Sequence, residues 1–289
     1  MEECRLCPRN CGIDRRKKTG FCKADDKMRI SKIMFHSWEE PCFCYGRGVA
    51  AYFFSGCSLG CVFCQNHEIS RKAKGDIFSP EKLSESFLSM AEKGASAIDL
   101  VTPSHYAPLV AKALSMAKDR LSVPVIFNCG GYEKTETLKL FEGLVDIYLP
   151  DLKFIDKKTA ADFASAPDYP EVSLLAIREM CRQTGELRFN EKETERLERG
   201  VIVRHLVLPG HREESVRLIN TLKENFSSSE IMLSLMSQYT PVVKTDFPEL
   251  NRRLTKFEYK YVLKTFEESG FEGYAQSPSS ADTAFIPEF

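Results

Sequence analysis

The sequence predicts an α/β fold, a partial (β/α)6 barrel with an N-terminal Cys-rich metal-binding extension, on three observations. From residue 49 onward, short apolar runs alternate with stretches of helical periodicity, the pattern of a parallel sheet with right-handed crossovers. The first of these runs is followed at once by three cysteines in a C-x3-C-x2-C spacing. Four more cysteines precede any regular element. The chain then divides into a Cys-rich segment over residues 1–48, a barrel over 49–276 and a tail over 277–289.

Taken in order, Cys4-x2-Cys7-Pro-x2-Cys11-Gly and Cys22 form the first set of thiols. Four is a closed coordination shell, for tetrahedral zinc or for a [4Fe–4S] cluster, and Pro8, Gly12 and Gly20 supply tight turns around it. The spacing leaves zinc and iron open, with a disulfide pair as a third reading. Residues 28–33 read as a strand. His36-Ser37-Trp38-Glu39-Glu40-Pro41 and Cys42-Phe43-Cys44 follow as a segment that closes the bottom or side of the barrel. Cys42 and Cys44 stand too close together for a relaxed bridge and read as core thiols.

Residues 49–54, Val-Ala-Ala-Tyr-Phe-Phe, form the first barrel strand, which Ser55 and Gly56 end. Ser79 as N-cap and Pro80 at the first helical position open a helix; Leu83, Phe87, Met90 and Ala91 recur on one face until Gly94 stops it. Strands at 96–101, 123–127, 144–149, 201–207 and 231–235 follow. Between and after them come helices at 106–118 and 133–142, one opened by Asp156, and others at 170–183, 213–225 and 251–268. The charged run 191–199 reads as a solvated helix or loop. Six such units make an open, TIM-like barrel, because a closed one needs two more. A flat doubly wound sheet would want a Gly-x-Gly-x-x-Gly turn after the first strand, and none is present.

Ser55 to Cys64 reads Ser-Gly-Cys-Ser-Leu-Gly-Cys-Val-Phe-Cys, so Cys57, Cys61 and Cys64 fall on a loop at a strand's C-terminal end, where α/β folds place their sites. Three thiolates on one loop can hold three irons of a [4Fe–4S] cluster and leave the fourth open to an outside molecule. Structural zinc normally takes four ligands. The spacing therefore fits iron and sulfur better than a zinc knuckle that recruits His67, or buried thiols with no ligand. Eleven cysteines in a chain without a signal-peptide core point to metal or redox chemistry in a reducing cytosol.

This C-x3-C-x2-C, with the aromatic Phe63 before the last cysteine, resembles the signature of the radical S-adenosylmethionine (SAM) enzymes. The wider Phe-Phe-Ser-Gly-Cys…Cys-Val-Phe-Cys-Gln-Asn-His-Glu-Ile-Ser resembles uncharacterised relatives of the pyruvate formate-lyase activating enzyme. The resemblance implies a partial barrel, a [4Fe–4S] cluster at Cys57, Cys61 and Cys64, and S-adenosyl-L-methionine bound at its open iron. Reductive cleavage of SAM then yields a 5′-deoxyadenosyl radical for hydrogen abstraction. It further implies a protein substrate of the glycyl radical enzyme kind, with an electron donor such as flavodoxin or ferredoxin. Modification of a small molecule or RNA, and a non-catalytic, metal-stabilised regulator or electron carrier, are the alternatives.

The residues just past each strand are small and polar on an apolar frame, as a zwitterionic nucleoside ligand requires. They are Thr102-Pro103-Ser104-His105, Asn128-Cys129-Gly130-Gly131, Asp151-Leu152-Lys153, Arg204-His205 within the fifth strand, and Gln238-Tyr239. Singly, an Asp or Lys at a strand end is more often a cap or surface pair; His105 reads equally as a helix cap and His205 as a core histidine. The resemblance assigns Asp151 and Lys153 to the cofactor, Arg204 to the SAM carboxylate and Phe63 to the adenine. Asn128 stands in a turn where activases have Asp-Thr-Asn-Gly, without the aspartate of a cation site. The Gly-Gly-Glu that receives the SAM ammonium in most of the superfamily is replaced, which leaves Ser104 or backbone carbonyls for that role, and Gln238 or Tyr239 stands where activases have a histidine.

Net charge is −1 and the pI about 6.6, so the bulk balance favours neither nucleic acid nor an anionic membrane. Arg15-Arg16-Lys17-Lys18 reads as a solvated loop. No apolar stretch approaches the ~18 residues of a membrane span, and the expected location is cytoplasmic.

Overall fold

A computed structural model describes residues 3–277; the predicted tail at 277–289 lies, apart from Ser277, outside the described residues. The elements in chain order are β1 (Arg29–His36), β2 (Val49–Phe54), α1 (His67–Ser70), β3 (Asp76–Ile77), α2 (Pro80–Glu92), β4 (Ile98–Val101), α3 (Ala107–Ala117), β5 (Val125–Cys129), α4 (Thr135–Leu138) and β6 (Ile147–Pro150). There follow α5 (Lys157–Ala164), α6 (Tyr169–Thr184), β7 (Arg188–Phe189), β8 (Leu197–Leu206), α7 (Arg212–Asn225), β9 (Ile231–Met236), α8 (Lys256–Glu267) and β10 (Gly273–Ala275).

The six predicted barrel strands are β2, β4, β5, β6, β8 and β9, and they lie side by side, all parallel, in that order. The sheet does not close. β1 pairs antiparallel with β2 and is followed by β3 at one edge, while β10 adds a parallel strand beyond β9 at the other. Ten strands therefore form one open sheet, wider than six units because short flanking segments extend both edges.

Alternation along the strands sorts side chains between two cores. Tyr52, Phe54, Leu100, Phe127, Tyr148 and Val203 point outward under the helices. Val49, Ala51, Phe53, Ile126, Ile147, Leu149 and Ile202 point inward. The inner face of an open barrel would otherwise be wet, and Cys42 and Phe43 fill it, each 1 % exposed. The Cys42 carbonyl accepts from Leu197 N–H at 2.9 Å, so the segment after β1 plugs the lower interior.

One element differs from the sequence expectation, and in another the loop alternative holds only as far as residue 196, after which β8 begins. The helix at 133–142 is α4 followed by a 3-10 turn over Lys139–Phe141, where Gly143 at φ 73° turns the chain out. The charged run at 191–199 is a hairpin turn entering β8, because Leu197 is buried in the inner core while Asn190 Oδ1 accepts from the Lys192 and Glu193 N–H groups, both at 2.9 Å. Helix starts follow the expected chemistry: Ser79 caps α2, and Thr255 with Glu258 forms a capping box on α8, each cap contributing on the order of 1 kcal/mol.

Residues 3–28 contain no helix or strand and pack on the rim near the strands' C-terminal ends. Arg9 Nε donates to Ser58 O at 2.9 Å, its guanidinium also reaches the carbonyls of Ala164 and Ser165, and it lies 3.9 Å from the Phe21 ring centroid. Thr137 Oγ1 donates to Leu6 O at 2.7 Å.

Candidate cofactor site

A cavity of about 440 Å³ opens at the C-terminal ends of the parallel strands, within the range of small-molecule sites. Cys57, Cys61 and Cys64 border it, together with Phe63, Asn128, Asp151, Lys153, Arg204 and Gln238. Ser104 is absent from the lining. It is 3 % exposed, with its hydroxyl beside the buried Glu133 carboxyl; Thr102 takes the rim position instead. Thr102 adopts φ 62°, a left-handed backbone that costs a β-branched residue about 1–2 kcal/mol.

The cysteine loop is held by its backbone. Gly56, at φ 92°, packs so closely on the Cys22 carbonyl that any Cβ would collide with it, and Cys57 N–H donates to that carbonyl at 3.3 Å. Gly60 and Val62 N–H groups donate to Ala164 O and Phe163 O at 3.0 and 2.8 Å, tying the loop to the end of α5. Burial pushes the Cys57 thiol well up and the Cys61 thiol up to about 11; for Cys61 the Lys153 ammonium pulls the other way. A soft cation that replaces the protons removes this penalty. Among the described residues no three His, Cys, Asp or Glu side chains gather about one point to hold a single ion. A cubane takes each thiolate at a separate iron and does not ask for that convergence.

Opposite the loop, Lys153 Nζ pairs with Asp151. Burial works against this ammonium, but the charges of Asp151 and Cys61 outweigh it and hold its pKa above the ordinary lysine value. The Tyr169 hydroxyl, fully buried, lies 2.8 Å from both Gly130 O and Asp151 O and accepts from Lys153 N–H at 2.9 Å, so it locks two rim turns together. Gly131, at φ 78°, has no room for a Cβ against the Asp151 carbonyl. Phe63 sits edge-on among Phe154, Phe163 and Tyr239, with centroids 6.2, 6.5 and 6.1 Å away. Gln238 accepts from Gln276 Nε2 at 3.3 Å.

The cavity wall below the rim is charged. Arg204 Nε donates to Glu40 Oε1 at 2.7 Å, and its Nη2 pairs with both Glu39 and Glu40. Asp99 lies behind them, fully buried, accepting from Asn128 Nδ2 at 3.4 Å. Burial and then the Glu39 charge push its carboxyl well above the usual range, with Arg204 opposing. These bonds occupy Nε and Nη2 of Arg204 and leave Nη1 as a donor for a ligand.

Sequence reasoning did not single out Glu39, Glu40, Asp99 or Tyr169 as site residues. Signals exist for two: Asp99 interrupts the apolar run Ile98-Asp99-Leu100 on the inward register, and a glutamate pair precedes a segment that folds inside the barrel. Tyr169 has none, since its role depends on a contact with Gly130 across 39 residues. The two histidines are structural. His105 Nε2 donates to Ser55 O at 2.7 Å, and burial lowers its pKa to about 4. His205 donates from Nδ1 to Leu152 O and accepts at Nε2 from Ser215, both at 2.8 Å; burial keeps it neutral.

No helix among the described residues is long and apolar enough to cross a membrane. No family model matches the chain. An uncharacterised protein of Methanocaldococcus jannaschii, MJ0674, is 24 % identical over 278 residues, covering 92 % of this chain and 75 % of that protein. Among solved structures, Streptococcus suis SuiB bound to precursor peptide SuiA has a TM-score of 0.51 at 14 % identity, over 76 % of this chain and 46 % of SuiB. SuiB bound to S-adenosylmethionine has a TM-score of 0.51 at 13 % identity, over 76 % and 48 %. This chain spans about half the length of SuiB, and what the two share is the fold.

Proposed function

We propose that the chain is a radical SAM enzyme that acts on a partner protein in the manner of glycyl radical enzyme activases. The observation that carries this reading is the placement of Cys57, Cys61 and Cys64 on one loop at the mouth of a cavity that Asn128, Asp151, Lys153 and Arg204 also face. The donor set fits: three soft ligands, of which Cys57 and Cys61 are disfavoured by burial as free thiolates, beside an ammonium and a guanidinium for a carboxylate, and carboxylates for an ammonium. With a [4Fe–4S] cluster at the three thiols and SAM beside it, the site would supply reductive cleavage of the sulfonium and hydrogen abstraction from a C–H bond.

The chain's own residues bind, orient and shield. Lys153, fixed by Asp151 and by Tyr169, presents a permanent positive charge; Arg204 offers Nη1; Gln238 and Asn128 offer amides. Phe63 and its aromatic neighbours keep water from that side, which strengthens each charge interaction within. A protein substrate is supported by Trp38, which lines the cavity yet is 64 % exposed, as aromatic anchors at partner interfaces are. SuiB, similar in fold over part of its length, is bound to its precursor peptide SuiA, which is in keeping with a polypeptide substrate. An external one-electron donor, a flavodoxin or ferredoxin, completes the reading.

The test is anaerobic incubation of reconstituted protein with SAM and dithionite. 5′-Deoxyadenosine is expected from the native chain and none above background from the variant with Cys57, Cys61 and Cys64 all changed to Ala; equal yields overturn the reading. Addition of host cell extract should give a protein-borne glycyl radical signal in electron paramagnetic resonance. Product formation that follows a low-molecular-weight fraction, without that signal, overturns the activase part alone.

A further inference from the structure

Resting on the polypeptide substrate of the proposed function, we propose that the partner's segment binds as an added β-strand along the free edge of β10, with a Lys or Arg side chain in the hollow beside that strand. β10 is the last strand on its side of the open sheet, and among the described residues no strand pairs with its outer edge. Two hydrogen bonds fix which of its backbone groups face inward: Leu233 N–H donates to Glu272 O and Gln276 N–H donates to Leu235 O, both at 3.0 Å. Across a trans peptide the N–H points opposite to the C=O, and no peptide bond among the described residues is cis. Gly273 N–H and Ala275 C=O therefore point outward. With Tyr274 opposite Ser234, the parallel ladder takes both backbone groups of Tyr274 to β9, which turns Gly273 C=O and Ala275 N–H outward as well.

Two donors and two acceptors alternating along an edge are the complement of another extended backbone. Gly273 and Ala275, which carry them, are exposed. Edges are commonly blunted by Lys, Pro or a covering element, yet residues 272–277 hold neither Lys nor Pro. On the opposite edge, by contrast, β3 covers the start of β1. Gly273, at φ 152°, seats its strand so close to β9 that a Cβ would collide with the Leu233 carbonyl, so β10 is a fixed template.

The edge leads to the cavity. β10 runs parallel to β9, so its C-terminal end lies at the rim, and Tyr274, Ala275 and Gln276 line the same cavity as Cys57, Cys61 and Cys64. A chain added along β10, at about 3.3 Å per residue, delivers its next residues to the cavity mouth. Pro41 and Tyr274 wall both this cavity and a second hollow of about 510 Å³, which Phe189, Met232, Glu195 and Glu272 complete. Neither Glu195 nor Glu272 pairs with a cation among the described residues; Arg188 and Arg196 are taken by Glu198 and Glu193. A long side chain with an apolar stem and a cationic head suits such a hollow, the stem against Phe189 and Met232 and the head at two carboxylates.

The test uses the full chain with no SAM or reductant added, and the probes are blocked heptapeptides of alternating Thr and Val with one Lys placed at each position in turn. In the free chain, hydrogen exchange should be fast at the Gly273 and Ala275 amides and slow at those of Tyr274 and Gln276. Slow exchange at all four would show the edge already covered, by the chain's own tail or by a second copy, and overturns the proposal. At saturation at least one peptide should slow Gly273 and Ala275 by about tenfold or more; no slowing with any of them also overturns it. Ala275→Pro removes an outward N–H and leaves the β9 ladder intact, so it should weaken the best peptide by about tenfold or more. Undiminished affinity in a variant with native circular dichroism overturns the added strand. Independently of any variant, N-methylation of that peptide at alternate residues should abolish binding in one of the two phases, and equal binding in both overturns the ladder. Lys→Glu in the peptide should weaken binding by about tenfold, and by much less in the Glu195→Gln, Glu272→Gln chain; a preference that survives there overturns the place given to the cation. Because no SAM is cleaved, a chain that binds the peptides yet yields no 5′-deoxyadenosine keeps this site and loses the radical chemistry, and the converse outcome separates the two equally.

Discussion

His105 illustrates how much a single side chain here does by staying neutral. Its ring donates to the carbonyl of Ser55 at the entry of the cysteine loop, and its own carbonyl receives Arg15. Burial lowers its pKa to about 4 against an ordinary 6.5, so protons bind the unfolded chain first as pH falls. Stability contributed above pH 6.5 is therefore lost between 6.5 and 4, to the extent of about 3 kcal/mol. His105→Gln, which does not titrate there, should flatten the pH dependence of the urea midpoint over that window; an unchanged slope would show that the loss lies elsewhere. His105 was readable as a structural residue but not as this one, since its partner is 50 residues away. Arg204 divides the same way. Its place at the site was legible from Val-Arg-His-Leu-Val-Leu-Pro-Gly, whereas its grip by Glu39 and Glu40 spans 165 and 164 residues and leaves no local trace.

Among the elements, the turns after β5 and β6 carry the site and depend on close backbone approach. Gly131 and Gly185 have similar φ, 78° and 73°, but only Gly131 faces a carbonyl where a Cβ would stand; Gly185 faces open space. Gly185→Ala should cost about 1–3 kcal/mol, the backbone penalty alone, since φ 73° with ψ −156° is a region that only glycine enters freely. Gly131→Ala should cost at least about 2 kcal/mol more and weaken SAM binding, because Asp151 and with it Lys153 must move. Equal losses in chemical denaturation would mean the turn gives way freely. The six parallel strands were legible because each buries both faces and so reads as an apolar run. β7 and β10, two and three residues long, were not, since elements so short are set by the strand beside them. The helix at 133–142 was overread because Leu138 and Phe141 keep helical spacing through what is a 3-10 turn.

At the scale of the molecule, the order of synthesis and the order of contacts run against each other. The thiol-rich first segment forms neither edge of the open sheet; it lies on the rim, clasped by Arg9 to the carbonyls of Ser58 and of Ala164, the latter 155 residues along the chain. Non-local closure of this kind is slow. Residues 3–22 leave the ribosome well before α5, yet their docking surface does not exist until α5 has been made and packed. During that interval Cys57 lacks the Cys22 carbonyl that its N–H donates to in the finished fold. The N-terminal segment is thus a late-closing latch, and the loop beneath it becomes ordered only when the latch shuts. Arg9→Ala should slow the last refolding phase, and hydrogen exchange at the amides of Cys57, Gly60 and Val62 should quicken while those of β5 and β6 keep their protection. Uniform quickening across the sheet would mean instead that latch and barrel fold as one. With the latch closing last, the loop thiols stay accessible for most of the chain's folding, so the cluster that the proposed function asks for would have a window of entry that ends when Arg9 finds Ala164.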